Sequence, residues 1–230
     1  MLELLFNLSL FPLMITIVAF MIGLWLKKKI KHPLCNPFFI AVILTGTFLA
    51  LSKMPMDLYL AGTEKLTWLI TPATVALALP LYEQLKKLNG QLIAIFAGVI
   101  TGAISSLTII AATCLLFALP REITVSLLPK SITTAMAMVL SEQSGGISSI
   151  AAGGVAIAGL TGSLLGPMLC KLFRFNDPIV QGVAYGTASH VIGTSRVMEI
   201  NPLSGAVSTL SLVVAGVLTA ILMPILCAFI

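Results

Sequence analysis

Leu128-Pro129-Lys130-Ser131-Ile132-Thr133-Thr134, which leads to Glu142, and Gly186-Thr187-Ala188-Ser189-His190-Val191-Ile192-Gly193-Thr194, which leads to Arg196 and Glu199, decide how this chain is read. Both place charged and hydroxyl side chains inside a sequence otherwise suited to lipid, where an ionisable group is costly and must face a partner or a water-filled cavity. Each is followed by a long apolar segment rich in small residues. An offset of 57 residues sets Glu142 on Glu199 and also pairs Ala158 with Ala215, Gly159 with Gly216, Leu165 with Leu222, Pro167 with Pro224, Leu169 with Leu226 and Cys170 with Cys227. No gap is needed, and 7 of the 30 positions from Ser141 to Cys170 are identical, part of which apolar composition alone would supply. The pattern reads as a duplicated unit: broken segment, polar tip, acidic residue, spanning helix.

Working outward, 58% of the 230 residues are hydrophobic and only 9% charged, with a mean hydropathy of +1.10. Soluble domains carry about a quarter charged residues, so this is a polytopic membrane protein, expected as one integral membrane domain over residues 1–230. Helices are favoured over a barrel because the apolar runs are long and continuous, whereas barrel strands show about 10 alternating residues. The net charge of +5 does not point to nucleic acid, because the basic residues cluster at the ends of apolar runs, where they act as topology signals. Cys35, Cys114, Cys170 and Cys227 lie in or beside apolar segments without metal-ligand spacing and read as small hydrophobes; no cofactor is expected. Glu3 in place of a basic leader, and no small-residue cleavage site before Lys27, argue against a cleaved signal peptide.

Leu4 to Leu26 is an uncharged run of 23 residues, enough for one span, and Lys27, Lys28, Lys29 and Lys31 mark its cytoplasmic end. His32 to Ser52 returns the chain outward, with Pro33 and Pro37 suited to a helix start. A loop is expected over Lys53–Lys65, carrying Asp57 and Glu64, then a short span from Leu66 to Tyr82 broken or kinked by Pro72 and Pro80. Leu88 to Pro120 supplies one tilted helix.

Arg121 and Glu122 then lie outside and Lys171 and Arg174 inside, so an odd number of crossings separates them. Gln143–Cys170 is one. Glu122–Glu142 is therefore read as a re-entrant hairpin whose arms, at 1.5 Å per residue, each reach about half of a 30 Å core. Asp177–Glu199 is its counterpart from the cytoplasmic side, and Pro202–Phe229 is the last crossing. The fold class is thus an all-α polytopic membrane protein, about six spanning helices plus two broken or re-entrant segments, arranged as an inverted repeat of the kind secondary transporters use. Full spanning by either segment would make the repeat parallel.

Broken helices leave amides that lipid cannot satisfy, so such backbone lines a cavity or is buried in protein. Amides and hydroxyls at Ser131, Thr133 and Thr134, and at the turn through Ser189, Gly193 and Thr194, would donate to a small anion such as a carboxylate. Lys130 would complete that site, or else snorkels or pairs with Glu142. His190 would carry a coupling proton or donate to a backbone carbonyl. Arg196 and Glu199, at i and i+3, suit a mutual ion pair better than substrate contact. Glu142 would cap backbone at Gly145 and Gly146 or exchange protons. Gly159, Gly162 and Gly166 serve close helix packing, and no H-E-x-x-H, G-x-S-x-G or P-loop is present, which disfavours an intramembrane enzyme.

Leu128–Thr134, Glu142-Gln-Ser-Gly-Gly-Ile, Gly186-Thr-Ala-Ser-His-Val-Ile-Gly-Thr-Ser-Arg and Pro72-Ala-Thr-Val-Ala-Leu-Ala-Leu-Pro-Leu-Tyr together resemble the LrgB (CidB) family over nearly the whole chain. Ala135 stands where that family carries proline, and Ser195 where it carries alanine. The resemblance implies either of two functions in a bacterial cytoplasmic membrane. One is a secondary transporter of small monocarboxylates of the glycolate, glycerate or pyruvate type, for which the residue reading offers His190 or Glu142 as carriers of a coupling proton. The alternative is an antiholin-like regulator of murein hydrolase activity and lysis acting with a small LrgA/CidA-like membrane partner. Homo-oligomers are compatible with both.

Overall fold

The computed structural model describes residues 10–30, 37–69 and 90–230, with isolated positions between 70 and 89. Regular structure among them is helical throughout: α1 Phe11–Ile30, α2 Pro37–Ser52, α3 Met56–Trp68, α4 Leu92–Leu116, α5 Arg121–Leu127, α6 Thr134–Gln143, α7 Ser148–Leu172, α8 Pro178–Ile200 and α9 Pro202–Cys227. Helices α1, α4, α7 and α9 are long and apolar enough to cross a membrane, and α2 is a shorter apolar helix of 16 residues. The expected Leu66–Tyr82 span, with its break or kink at Pro72 and Pro80, lies largely outside the described residues.

The chain divides into two compact units, Met1–Ala76 and Leu77–Ile230. Within the first, Gly23 of α1 sits so close to α2 that a Cβ there would lie 2.7 Å from the carbonyl oxygen of Pro37. Pro37 opens α2, as a residue with no amide hydrogen to satisfy can. Thr16 Oγ1 and Tyr59 Oη, 2.8 Å apart, tie α1 to α3. The α3 helix corrects the loop expected over Lys53–Lys65: Asp57 lies in its first turn and Lys65 in its last, where each complements the helix dipole.

In the second unit, Leu107 and Ala111 of α4 pack with Val125 of α5, Leu128, and Met223 and Cys227 of α9. A second cluster joins Ile95 and Val99 of α4 to Val207 and Ala215 of α9, and a third joins Ile132 and Ala137 to Ala151 and Val155 of α7. Between helices in lipid such contacts stabilise through close van der Waals packing, since the bilayer is as apolar as the core.

The 57-residue offset recurs in the helix limits. Arg121 and Pro178 open α5 and α8, and Gln143 and Ile200 close α6 and α8. Thr134, the first residue of α6, corresponds to Val191, the residue after the one non-helical position inside α8, His190 (φ 42°, ψ −141°). Prolines 167 and 224 lie at matched places inside α7 and α9. The two breaks differ in width: Leu128–Thr133 separates α5 from α6, whereas a single residue interrupts α8. Neither arm of either unit reaches across a 30 Å core, since α6 spans about 15 Å at 1.5 Å per residue and α5 less.

Sequence-local chemistry sets these ends. Asp177 Oδ1 accepts from the amides of Ile179 and Val180 at 2.6 and 3.3 Å, and Asn201 Oδ1 does the same for Leu203 and Ser204 at 2.9 and 3.3 Å. Each is followed by proline at the first helical position, a strong start signal. Helices α4, α6 and α7 each end at a positive-φ residue: Ala118 (φ 49°), Gly145 (φ 83°) and Arg174 (φ 56°).

Candidate functional site

Lys130 lies in the first break, half-buried, with its Cβ facing Gly154 of α7. Its Nζ donates to Ser131 Oγ at 3.2 Å, and that hydroxyl lies 2.9 Å from Ser106 Oγ of α4. Because Ser131 accepts from the ammonium, its own proton is free to go to Ser106. No carboxylate pairs with Lys130 among the described residues.

The second break is held against the same helix. His190, 2% exposed, donates from Nε2 to the carbonyl oxygen of Val155 at 2.8 Å, which fixes the proton on that nitrogen. Thr194 Oγ1 donates to the His190 carbonyl at 2.8 Å and lies 2.7 Å from Ser208 Oγ of α9. Glycines on α7 permit the approach: a Cβ on Gly159 would lie 2.6 Å from His190 Nε2, and one on Gly162 would collide with Ser189. Gly193 of α8 is likewise pressed onto Ser189. One helix, α7, thus receives both breaks.

Between them runs a cavity of about 590 Å³, open along one side, with Leu127 and Lys130 from around the first break and Ala184, Tyr185, Ala188 and Ser189 from α8 in its lining. The floor is α7, from Gly154 to Cys170, with Phe173 just past its end. The volume lies in the range of small-molecule sites, about 300–1,000 Å³.

Of the candidate binding residues the sequence singled out, Lys130 and Ser189 line this cavity, as do Gly162, Gly166 and Cys170. Ser131 is buried behind Lys130, and His190, Gly193 and Thr194 are buried in helix contacts. Thr133 caps α6 through its backbone alone, and Thr134 is exposed outside the cavity lining. Glu142 is exposed at the far end of α6; the amides of Gly145 and Gly146 go to the main-chain oxygens of Glu142 and Ser141 at 3.1 and 2.8 Å, so its carboxylate is not their cap. Arg196 and Glu199 form the i,i+3 ion pair at 2.9 Å. Tyr185 and Thr161 also line the cavity, and no local pattern marks them in the sequence.

The LrgB-like family matches residues 16–229, a span that takes in both breaks and all of the cavity lining. The chain belongs to the LrgB-like family. Among similar proteins are the antiholin-like protein LrgB of Bacillus subtilis, 35% identical over 216 residues and 94% of each chain, and the holin-like protein CidB of Staphylococcus epidermidis, 32% identical over 214 residues and 93% of each. The holin-like protein CidB of Staphylococcus aureus is 31% identical over 218 residues, 95% of each chain. No solved structure matches this LrgB-like chain. Regular structure among the described residues is all-helical, with four helices long and apolar enough to cross a membrane.

Proposed function

We propose that this LrgB-like protein acts as a holin- or antiholin-like regulator in a bacterial plasma membrane, affecting murein hydrolase activity and lysis together with a small holin-like membrane partner. The observation that carries this reading is the near full-length match to relatives named holin-like and antiholin-like. Its test is expression of the chain with and without such a partner in cells lacking both, with lysis rate and murein hydrolase activity measured. No response under either condition would sink it.

A second reading is favoured by one specific observation, the ammonium of Lys130, which has no carboxylate partner among the described residues, at a cavity between two broken helical segments. It is transport of a small monocarboxylate, bound at Lys130 with Ser131 behind it, and driven by a proton gradient. In this reading the two units have opposite orientations and alternate in exposing the cavity. Uptake of labelled pyruvate, glycolate and glycerate into proteoliposomes, with and without an inward proton gradient, tests it. Gradient-driven uptake lost in Lys130→Gln supports transport; lysis control with no flux of any of the three leaves the first reading alone.

A further inference from the structure

The cavity between α7 and α8 is longer than a site for one small anion needs. Ordered by what they face on α7, Lys130 lies opposite Gly154, Ser189 opposite Gly162, and Tyr185 Oη opposite Gly166, while Phe173 closes the lining just past the helix end. At 1.5 Å per residue, Gly154 to Phe173 covers about 28 Å, nearly the thickness of a bilayer's hydrocarbon core.

Polar atoms recur along that length. Tyr185 is 4% exposed, yet its Oη has no hydrogen-bond partner among the described residues. Thr161 and Ser189 add hydroxyls near the middle, and Lys130 a charge at the end. Were the groove filled by an acyl chain, the Lys130 ammonium and the exposed Thr161 hydroxyl would sit against hydrocarbon, the least favourable environment for them.

We propose that this groove is a hydrated path for small monoanions, leading from the C-terminal end of α7, beside Lys171 and Arg174, to Lys130, with Tyr185, Ser189 and Thr161 as hydroxyl donors along it. The inference rests on the second reading in taking Lys130 as the anion's destination. One cation and several neutral donors suit a single negative charge, and a cation entering the groove is repelled from its end.

Substituted-cysteine accessibility tests this directly. With Cys35, Cys114, Cys170 and Cys227 changed to alanine, Thr161→Cys places a thiol at mid-groove; in a second chain the native Cys170 is kept as a reporter near the mouth. Each chain, in liposomes, is treated with matched anionic and cationic thiosulfonate reagents, and with neutral N-ethylmaleimide as a reactivity control. Both thiols are expected to react with the anionic reagent. At position 161 it should outpace the cationic one about tenfold, and Lys130→Gln should bring the ratio near one, the size expected for a charge-assisted contact.

Reaction of Thr161→Cys with maleimide alone would mean a lipid-filled groove and would overturn the proposal. Equal rates for the two charged reagents would do the same. Should Lys130→Gln fail to insert, Ala158→Leu narrows the groove without touching the charge: it must slow charged-reagent access to position 161, and unchanged access overturns the path. Acid uptake without charged-reagent access keeps the transport reading and removes this route; access without uptake does the reverse.

Discussion

His190 Nε2 donates to the Val155 carbonyl oxygen across 2.8 Å, fastening the one non-helical residue of α8 to the backbone of α7. At φ 42° and ψ −141° that residue occupies a region glycine visits freely and other residues rarely do. Such strain costs about 1–3 kcal/mol and persists only where the surroundings hold it. His190→Ala keeps the strain and loses the bond, whereas His190→Gly loses the bond and relieves the strain. Thermal unfolding in detergent should therefore find the glycine variant more stable than the alanine variant by about 1 kcal/mol or more; an alanine variant of equal or greater stability would show that the break is unstrained.

Gly162 and Gly153 lie on the same helix but meet different surroundings. A Cβ on Gly162 collides with Ser189, while one on Gly153 meets nothing within 4 Å. Gly162→Ala should cost about 1–3 kcal/mol by forcing α7 and α8 apart. Gly153→Ala should be neutral or stabilise by up to about 1 kcal/mol through helix propensity. Equal melting temperatures for the two variants would refute the packing assigned to the α7 glycines.

Ala118 ends α4 at φ 49°, with the Leu119 amide donating to the Cys114 carbonyl at 2.9 Å and the Ala118 amide to Leu115 at 3.0 Å. Gly145 fills the corresponding place after α6 without a steric penalty. Ala118→Gly is expected to stabilise the protein by about 1 kcal/mol, because the relief of a left-handed residue outweighs the added freedom of the unfolded chain. A lower melting temperature would count against this end geometry.

Tyr185→Phe removes a buried hydroxyl that has no partner among the described residues. Burying such a group costs about 1–3 kcal/mol, so the variant should melt no lower than the parent in detergent, where the groove is not carrying solute. A loss of more than about 1 kcal/mol would mean that Oη holds a structural hydrogen bond.

The Arg196–Glu199 pair joins side chains that are 26% and 51% exposed. Exposed pairs at this spacing contribute about 0.3–0.5 kcal/mol. Glu199→Gln removes this pair and should leave any Lys130-dependent uptake unchanged. Loss of uptake with intact folding would move Glu199 from a surface role into the transport machinery.

Much of the architecture was legible in the chain itself. The absence of charge over long runs dictates membrane helices, because lipid offers unpaired backbone no partner. Asp177-Pro178 and Asn201-Pro202 announce two helix starts through contacts only a few residues long. The 57-residue offset appears first as scattered identities and again as matched helix limits, since both units solve the same local problem. The stretch Lys53–Lys65 misled, because Asp57 and Lys65 look like loop charges until a helix places them at its ends.

What the sequence determined by itself is what is settled locally or by solvent class: helical membrane architecture, helix starts, the two breaks and the presence of Lys130 in the first. Which groups share a cavity was decided only by the tertiary structure. Tyr185 and Thr161 meet Lys130 because the glycines of α7 let α8 lie against it at one register, while Glu142 is carried away by eight residues of α6. Helix register in lipid depends on close packing between distant segments, and no local pattern of side chains encodes that distance.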